Sequence, residues 1–307
     1  MIKKKILTIA KWVWVIAVVV FIGIFFIQHL PEEIEYLKTI QLPNLFLAIL
    51  LLLLGKLAVV ELARQSVKRA NWTPTYLQML SIVAISQLGK YVPGGIWHIA
   101  ARINSYKENS LSNKKTAKVM VLENIWLVSG GIVFAFFMLA LDPPAAQIYS
   151  ITKINLASTF WLVLRISLPL LWIIGLFILE KLFPMEHGSN VIKRILLLII
   201  IQAVIWLTMG SSFYLVFQET GFENYWLILG GYTLSWAAGY LVIFAPGGIG
   251  VREFVLVVLF SGLIPTDQIA IYSIVDRLIY TVVEVGLGGI GYLLQRIPPA
   301  KIKAETD

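Results

Sequence analysis

Two Pro-Gly-Gly-Ile segments, each followed within ten residues by an arginine, have the residue types of an anion site. They occupy 93–96 and 246–249, 153 residues apart, and each lies inside a long apolar stretch. Proline removes a backbone donor and glycine leaves the backbone uncovered. A helix that restarts after such a break presents unpaired N–H groups and the positive end of its dipole. Bare amides beside arginine or lysine can bind a phosphate group.

Ionisable side chains in the same stretches complete the predicted site. Each costs about 2.5–3.5 kcal/mol at mid-bilayer on insertion scales, so such residues usually face a cavity and take part in function. Glu123 and Asp276 each lie 30 residues after the proline of their own motif. We expect the cations to attract an anionic headgroup, and the carboxylates to balance them or to bind a cation or proton. The predicted substrate-binding residues are Lys90, Pro93, Gly94, Gly95, His98, Arg102, Glu123, Pro246, Gly247, Gly248, Arg252, Glu253, Asp276 and Arg277.

Structural interpretations of several of these residues stay open at this point. Glu123 and Asp276 could be solvated near the membrane interface, and His98 could snorkel to the interface beside Trp97. Arg277 follows Asp276 directly, so on a helix the two point in different directions, and we expect one of them to have another partner. The sequence leaves open the roles of Lys56, Arg165 and Glu284.

The elements that must position these residues are membrane helices. Of the 307 residues, 59% are hydrophobic and 14% are charged, whereas about a quarter of a soluble domain is charged. The net charge of +8 comes from loops between apolar stretches, which does not indicate nucleic-acid binding. The chain has no cysteine and three scattered histidines, so we predict no metal and no cofactor. Catalytic motifs such as a P-loop are absent from the sequence, so we do not expect an enzyme.

We predict an all-α integral membrane protein with about six full spans and two re-entrant Pro-Gly-Gly hairpins. The stretches 75–101 and 225–264 contain the breaks. The distribution of lysine and arginine places both termini in the cytoplasm and makes each broken stretch begin and end on one side. The alternative is eight full spans, with both broken stretches crossing. Runs long enough to cross about 30 Å of hydrocarbon lie at roughly 12–29, 43–62, 119–141, 158–180, 195–217 and 269–294.

The two halves of the chain match with opposite orientation. We predict a single transmembrane domain with internal repeats at about 1–150 and 151–307. Inverted repeats are the architecture of many secondary transporters, and paired breaks in the two halves indicate a transport site near the midplane. Small residues within the predicted spans should let helices pack closely. These residues are Gly130, Gly131, Gly286, Gly288 and Gly289.

The segments 87–98 (QLGKYVPGGIWH) and 245–253 (APGGIGVRE) resemble the lysylphosphatidylglycerol synthase transmembrane-region family. Glu-Asn at 123–124 and Asp-Arg at 276–277 also fit the pattern of that family, and the resemblance covers essentially the whole chain. It implies a flippase-like domain, which in multiple peptide resistance factor proteins moves aminoacylated phosphatidylglycerol between leaflets. Stand-alone members often accompany polysaccharide or glycolipid synthesis. This chain lacks the soluble aminoacyl-transferase domain, so we do not expect it to synthesise lysylphosphatidylglycerol alone.

These observations predict a multi-pass flippase or transporter of the plasma (inner) membrane. Its substrate would be a phospholipid or polyprenyl-linked lipid with an anionic headgroup. The alternative is a non-catalytic accessory subunit that partners an enzyme of lipid or polysaccharide synthesis, and an intramembrane lipid-modifying enzyme is a third hypothesis. The sequence leaves open the headgroup, the energy coupling and the oligomeric state.

Overall fold

The computed structural model describes residues 40–91, 97–109, 111–184, 190–217, 222–242 and 248–295, and these residues form α-helices and short connections without a β-strand. The first predicted span, at 12–29, lies outside them, as do Pro93, Gly94, Gly95, Pro246 and Gly247. The helices are α1 (Leu42–Val67), α2 (Tyr76–Leu88), α3 (Trp97–Glu108), α4 (Asn113–Leu139), α5 (Ala145–Thr152), α6 (Ser158–Leu182), α7 (Val191–Val216), α8 (Tyr225–Leu241), α9 (Val251–Phe260) and α10 (Thr266–Leu294).

Within the described residues, four long helices are apolar enough to cross a membrane, which confirms the predicted class of protein. They are Leu42–Ala70, Asn113–Leu139, Ser158–Leu182 and Val191–Val216, with mean hydropathy between 1.8 and 2.5. Each coincides within a few residues with a run predicted from the sequence. Helix α10 coincides with the last predicted run, but it carries buried carboxylates. The total of six spans stays a prediction.

Each Pro-Gly-Gly region joins two short helices that pack against each other as an antiparallel hairpin. In the first hairpin, α2 and α3, Arg102 Nε donates to Ser86 Oγ at 2.9 Å. In the second, α8 and α9, Gly239 packs against Gly248 and Arg252. These helices have 10 to 17 residues, so each is about 15–26 Å long, less than the hydrocarbon thickness of about 30 Å. Short paired helices are compatible with re-entrant hairpins, but entry and exit on one face stay a prediction.

Local capping bonds fix where the hairpin helices begin. Thr75 Oγ1 accepts from the Gln78 backbone N–H at 3.2 Å, and the Gln78 side chain accepts from the Thr75 N–H at 3.0 Å. This capping box starts α2 and satisfies two donors that the first turn leaves unpaired. At α9, the Gly250 N–H donates to the Glu253 carboxylate at 2.7 Å. Glu253 therefore stabilises the start of the helix that carries Arg252.

Packing between the two halves of the chain is reciprocal. Helix α4 packs against α8, α10 packs against α2, and α1 packs along α7. In the first two contacts, the helix that follows one hairpin packs against the first helix of the other hairpin. An inverted repeat would produce this reciprocal packing. The repeats themselves, at about 1–150 and 151–307, stay a prediction.

Some of the predicted small residues lie at close helix contacts. Gly130 and Gly131 face the side chains of Gln202 and Trp206, and Gly288 faces Leu88. Gly286 and Gly289 lie on a face of α10 that is exposed in the described structure. An added Cβ at either position has no described neighbouring atom within 4 Å, so close packing at these two glycines is not found among the described residues.

Candidate functional site

A cavity of about 420 Å³ lies between the two hairpins and is closed by α1, α4, α7 and α10. This volume is within the range of about 300–1,000 Å³ for small-molecule sites, so it can hold a headgroup rather than a whole lipid. Residues three or four positions apart lie on the same face of a helix. Each surrounding helix therefore faces this space with about every third or fourth side chain. Its lysine, arginine and glutamate lining residues are Lys56, Lys90, Arg102, Arg252, Glu123 and Glu284.

The fourteen predicted site residues fall into three groups. Six of them line the cavity: Lys90, His98, Arg102, Glu123, Gly248 and Arg252. Three others lie behind that lining and contact it or one another: Glu253, Asp276 and Arg277. The remaining five lie outside the described residues: Pro93, Gly94, Gly95, Pro246 and Gly247.

The first hairpin is tied to α4 by a buried ion pair. Arg102 Nη1 lies 2.5 Å from Glu123 Oε1, and Arg102 Nε donates to Ser86 Oγ. Tyr106 donates its hydroxyl to the other Glu123 oxygen at 3.1 Å. Arg102 is 3% exposed and Glu123 is 8% exposed. Burial excludes the interpretation that Glu123 is simply solvated, and both oxygens of the carboxylate are occupied.

The second hairpin repeats this pairing with a looser geometry. Arg252 Nη2 lies 3.4 Å from Asp276 Oδ2, and both residues are buried. The guanidinium carbon lies 5.5 Å from the centre of the Tyr232 ring. Among the described residues, Arg252 Nε has no hydrogen-bond partner. Arg252 is therefore held by fewer and longer contacts than Arg102 among the described residues.

Glu253 and Arg277 form a separate pair behind the cavity. Arg277 Nε donates to Glu253 Oε1 at 2.8 Å, and Ser273 Oγ donates to the same oxygen at 2.9 Å. Asp276 faces Arg252 instead. The expectation that adjacent Asp276 and Arg277 have different partners is confirmed. In the described structure Glu253 and Arg277 connect α9 to α10.

A third ionic cluster contains residues whose roles the sequence left open. Glu284 receives Lys56 Nζ on one oxygen and Lys90 Nζ on the other, each at 2.5 Å. Tyr91 donates its hydroxyl to Glu284 at 2.7 Å. The Tyr280 ring lies beside both lysines, with its centre 3.4 Å from Lys56 Nζ and 4.3 Å from Lys90 Nζ. This cluster joins α1, the end of the first hairpin helix and α10.

The lysine cluster has no charged counterpart in the other half of the sequence. The 153-residue offset places Lys56 on Met209 and Glu284 on Gly131. By contrast, the same offset places Glu123 directly on Asp276. The cavity therefore combines a repeated arginine–carboxylate pair with a lysine cluster found on one side only.

Positive charge exceeds negative charge along the cavity wall. Four lining residues are lysine or arginine and two are glutamate. Asp276, behind Arg252, neutralises part of this excess. Buried charges are stable only when they are paired. An anionic ligand would supply the missing negative charge.

Aromatic residues on the cavity wall were not identified from the sequence. Trp236 and Tyr240 stack with ring centres 5.1 Å apart and planes 15° apart, and Trp206 meets Trp236 edge-on at 4.9 Å. The Tyr240 hydroxyl is hydrogen-bonded to Asn124. The spacing of 236 and 240, one helical turn, was the available signal. No group of three or more metal-binding side chains occurs in the described part of the chain.

The profile of the family described as Lysylphosphatidylglycerol synthase TM region matches residues 12–288. The chain belongs to this family. The match includes both hairpins and every residue that lines the cavity, so the Lysylphosphatidylglycerol synthase TM region family predicted from the two motifs is confirmed.

A curated relative of this chain is "Inner membrane protein YbhN" from Escherichia coli (strain K12). The two sequences are 29% identical over 109 residues, which is 35% of this chain and 33% of the relative. The chain thus matches about a third of the length of this relative.

Proposed function

We propose that the protein is a flippase or transporter that moves a lipid with an anionic headgroup between the two leaflets of the membrane. The cation-rich cavity between two hairpins of a membrane protein is the observation that carries this proposal. The substrate is a phospholipid or a polyprenyl-linked lipid. The name of the relative favours the plasma (inner) membrane as the location.

Arg252 would be the main contact for the headgroup. It lines the cavity, its distance to Asp276 is long at 3.4 Å, and its Nε lacks a partner among the described residues. A charge-assisted bond to a phosphate is about twice as strong as a neutral hydrogen bond. Lys56 and Lys90, which also line the cavity, add long-range attraction. Arg102 has two good partners already and would mainly hold the first hairpin in place.

The acyl or prenyl tails would stay in the lipid while the headgroup crosses. Leu241 lines the cavity and is 57% exposed, so the cavity wall reaches the outer surface at the end of α8. A headgroup could enter there without a pore wide enough for the tails. Movement of one half of the protein against the other would expose the cavity to each leaflet in turn.

The proposal does not include a catalytic step. Nucleophilic catalysis commonly uses a hydroxyl or thiol activated by a neighbouring base. Among the described residues that line the cavity, none is serine, threonine or cysteine. The lysines in the lining are ion-paired to Glu284. In the proposal, the positively charged side chains of the lining bind an anion.

Lipid translocation in proteoliposomes tests the proposal. Fluorescent phosphatidylglycerol in the inner leaflet is protected from dithionite until a flippase exposes it. We expect the wild type and Arg252→Lys to translocate the lipid and Arg252→Ala to lose at least about tenfold in rate, the equivalent of one lost interaction of about 1.4 kcal/mol. Arg165→Ala, in α6 and outside the cavity lining, is the matched control.

Two results would reject the transport proposal. One is a wild-type rate from well-folded Arg252→Ala. The other is a purified protein that translocates no anionic lipid but retains an enzyme of lipid or polysaccharide synthesis, which would support an accessory subunit. A change in the mass of a lipid incubated with the protein would instead indicate an enzyme.

A further inference from the structure

Stacked aromatic rings lie beside the least constrained arginine of the cavity. Trp236 and Tyr240 are nearly parallel, and Trp206 closes one edge of the pair. All three side chains line the cavity. Aromatic faces are flat, apolar and partly negative. They are suited to the C–H faces of a ring or chain whose hydroxyl groups point sideways.

The backbone of α8 places these rings next to Arg252. Gly239 lies between Trp236 and Tyr240 in the sequence, and an added Cβ there would lie 2.6 Å from Arg252 Cγ. The arginine stem therefore passes directly over α8 at the turn that carries both rings. A phosphate bound by Arg252 would place its attached group within one helical turn of Trp236 and Tyr240.

The charges of the cavity disfavour a headgroup that carries an ammonium. The lining has four cations against two carboxylates, and Glu123 and Glu284 are already occupied by protein donors. The Tyr280 ring, which could attract a cation, already has Lys56 Nζ 3.4 Å from its centre. An added ammonium would meet repulsion without a free carboxylate among the described lining residues.

Uncharged polar groups complete this part of the wall. Gln87 and Asn124 line the cavity, and the Asn124 carboxamide is hydrogen-bonded to Tyr240. Amides and phenols donate to and accept from hydroxyl groups. The Asn124 amide and the Tyr240 phenol could therefore hydrogen-bond to the hydroxyl groups of a polyol that lies against the rings.

We propose that the substrate headgroup is a phosphodiester bearing an uncharged polyol or sugar, and that aminoacylated headgroups are disfavoured. The inference rests on the proposed function, because it names the substrate class of the same site. The polyol phosphate can come from a glycerophospholipid, such as phosphatidylglycerol or phosphatidylinositol, or from a prenyl phosphosugar. The cavity recognises the chemistry that these lipids share.

A panel of matched lipids tests this inference in proteoliposomes. Phosphatidylethanol has the phosphodiester charge without a polyol, and lysylphosphatidylglycerol adds two positive charges to phosphatidylglycerol. We expect phosphatidylglycerol and phosphatidylinositol to move at least about tenfold faster than either, which corresponds to one or two interactions. Phosphatidylinositol and a short prenyl phosphoglucose, run in separate vesicles, distinguish the two sources.

Variants of the ring pair connect the preference to the structure. We expect Trp236→Leu, which keeps an apolar side chain but removes the aromatic ring, to lose the preference for polyols over phosphatidylethanol, and Trp236→Phe to retain it. Trp226→Leu, at the start of α8 and outside the cavity lining, is the control. If Trp236→Leu does not fold, the wild-type panel alone decides.

The outcomes separate this inference from the proposed function. If no lipid moves in any vesicle, the flippase proposal itself is wrong. If lipids move but lysylphosphatidylglycerol equals phosphatidylglycerol, or Trp236→Leu keeps the wild-type preference, the protein transports lipid but its headgroup class is not a neutral polyol phosphate.

Discussion

Replacing Glu284 with glutamine should destabilise the protein more than any other single loss of charge in α10. Glu284 pairs with Lys56 and Lys90 at 2.5 Å each and accepts a hydrogen bond from Tyr91. Its side chain is 2% exposed, and that of Lys56 is 9% exposed. Glutamine keeps the shape of the side chain but leaves two lysines without a counter-ion. The substitution therefore isolates the effect of the charge.

The expected loss follows from the burial of this cluster. Removing one partner of a buried ion pair costs about 3–5 kcal/mol. The Lys90 side chain is 20% exposed, so water can partly solvate its charge. We therefore count only the Lys56–Glu284 pair toward the expected loss of stability. At about 2–4 °C per kcal/mol for a chain of this size, the melting temperature should fall by roughly 10 °C. A second substitution, Lys56→Met, places at 56 the residue found 153 positions later and should recover part of the loss.

Thermal unfolding of the detergent-solubilised protein, followed by size-exclusion chromatography of the fraction still folded, measures this effect. Glu61→Gln is the matched control, because Glu61 pairs with Arg64 on a partly exposed surface. Such pairs contribute about 0–1 kcal/mol. If Glu284→Gln melted within about 1 °C of that control, the Lys56–Glu284–Lys90 cluster would not be a buried ionic unit.

Two further predictions concern the second hairpin and the end of α4. Gly248→Ala should lower the melting temperature strongly, because Gly248 has φ +72° and an added Cβ would lie 2.7 Å from Gly239 Cα. Gly286→Ala, at a helical position where an added Cβ has no described neighbour within 4 Å, should be neutral or slightly stabilising. If both substitutions changed the melting temperature equally, the close contact between Gly248 and Gly239 would be contradicted. At Asp142, beyond the end of α4, burial raises the carboxyl pKa above its ordinary value of 3.8. The folded state therefore favours the protonated acid, so Asp142→Asn should raise the melting temperature at neutral pH. This gain should disappear as the pH falls below the ordinary pKa, and a pH-independent gain would refute the assignment.

Much of the helical architecture could be predicted because it depends on local properties of the sequence. Runs of apolar residues identified the regions of α1, α4, α6, α7 and α10, with ends shifted by a few residues. The shifts arise because caps, such as Ser112 at the start of α4, extend a helix beyond its apolar run. The Pro-Gly-Gly breaks predicted two interrupted stretches, at 75–101 and 225–264, and each break is flanked by paired short helices in the described structure. The first pair extends beyond the predicted stretch, because α3 continues to Glu108.

Partners across the cavity could not be predicted in the same way. Helix periodicity showed that Asp276 and Arg277 face different directions, but it did not show which cation each would meet. Lys56 and Glu284 are 228 positions apart, and no local pattern connects them. The aromatic pair at 236 and 240 is compatible with either a packed core or a cavity wall.

The sequence alone determined that this is a helical membrane protein with two interrupted apolar stretches and charges in apolar surroundings. These properties follow from hydrophobicity and from backbone chemistry, both of which act within one segment. Tertiary structure alone decided that Arg102 bonds to both Ser86 and Glu123 while Arg252 is more loosely paired with Asp276. It also decided that Lys56 and Lys90 share Glu284. Such pairings depend on how helices from the two halves pack, because only packing fixes the distance between side chains that are remote in the chain.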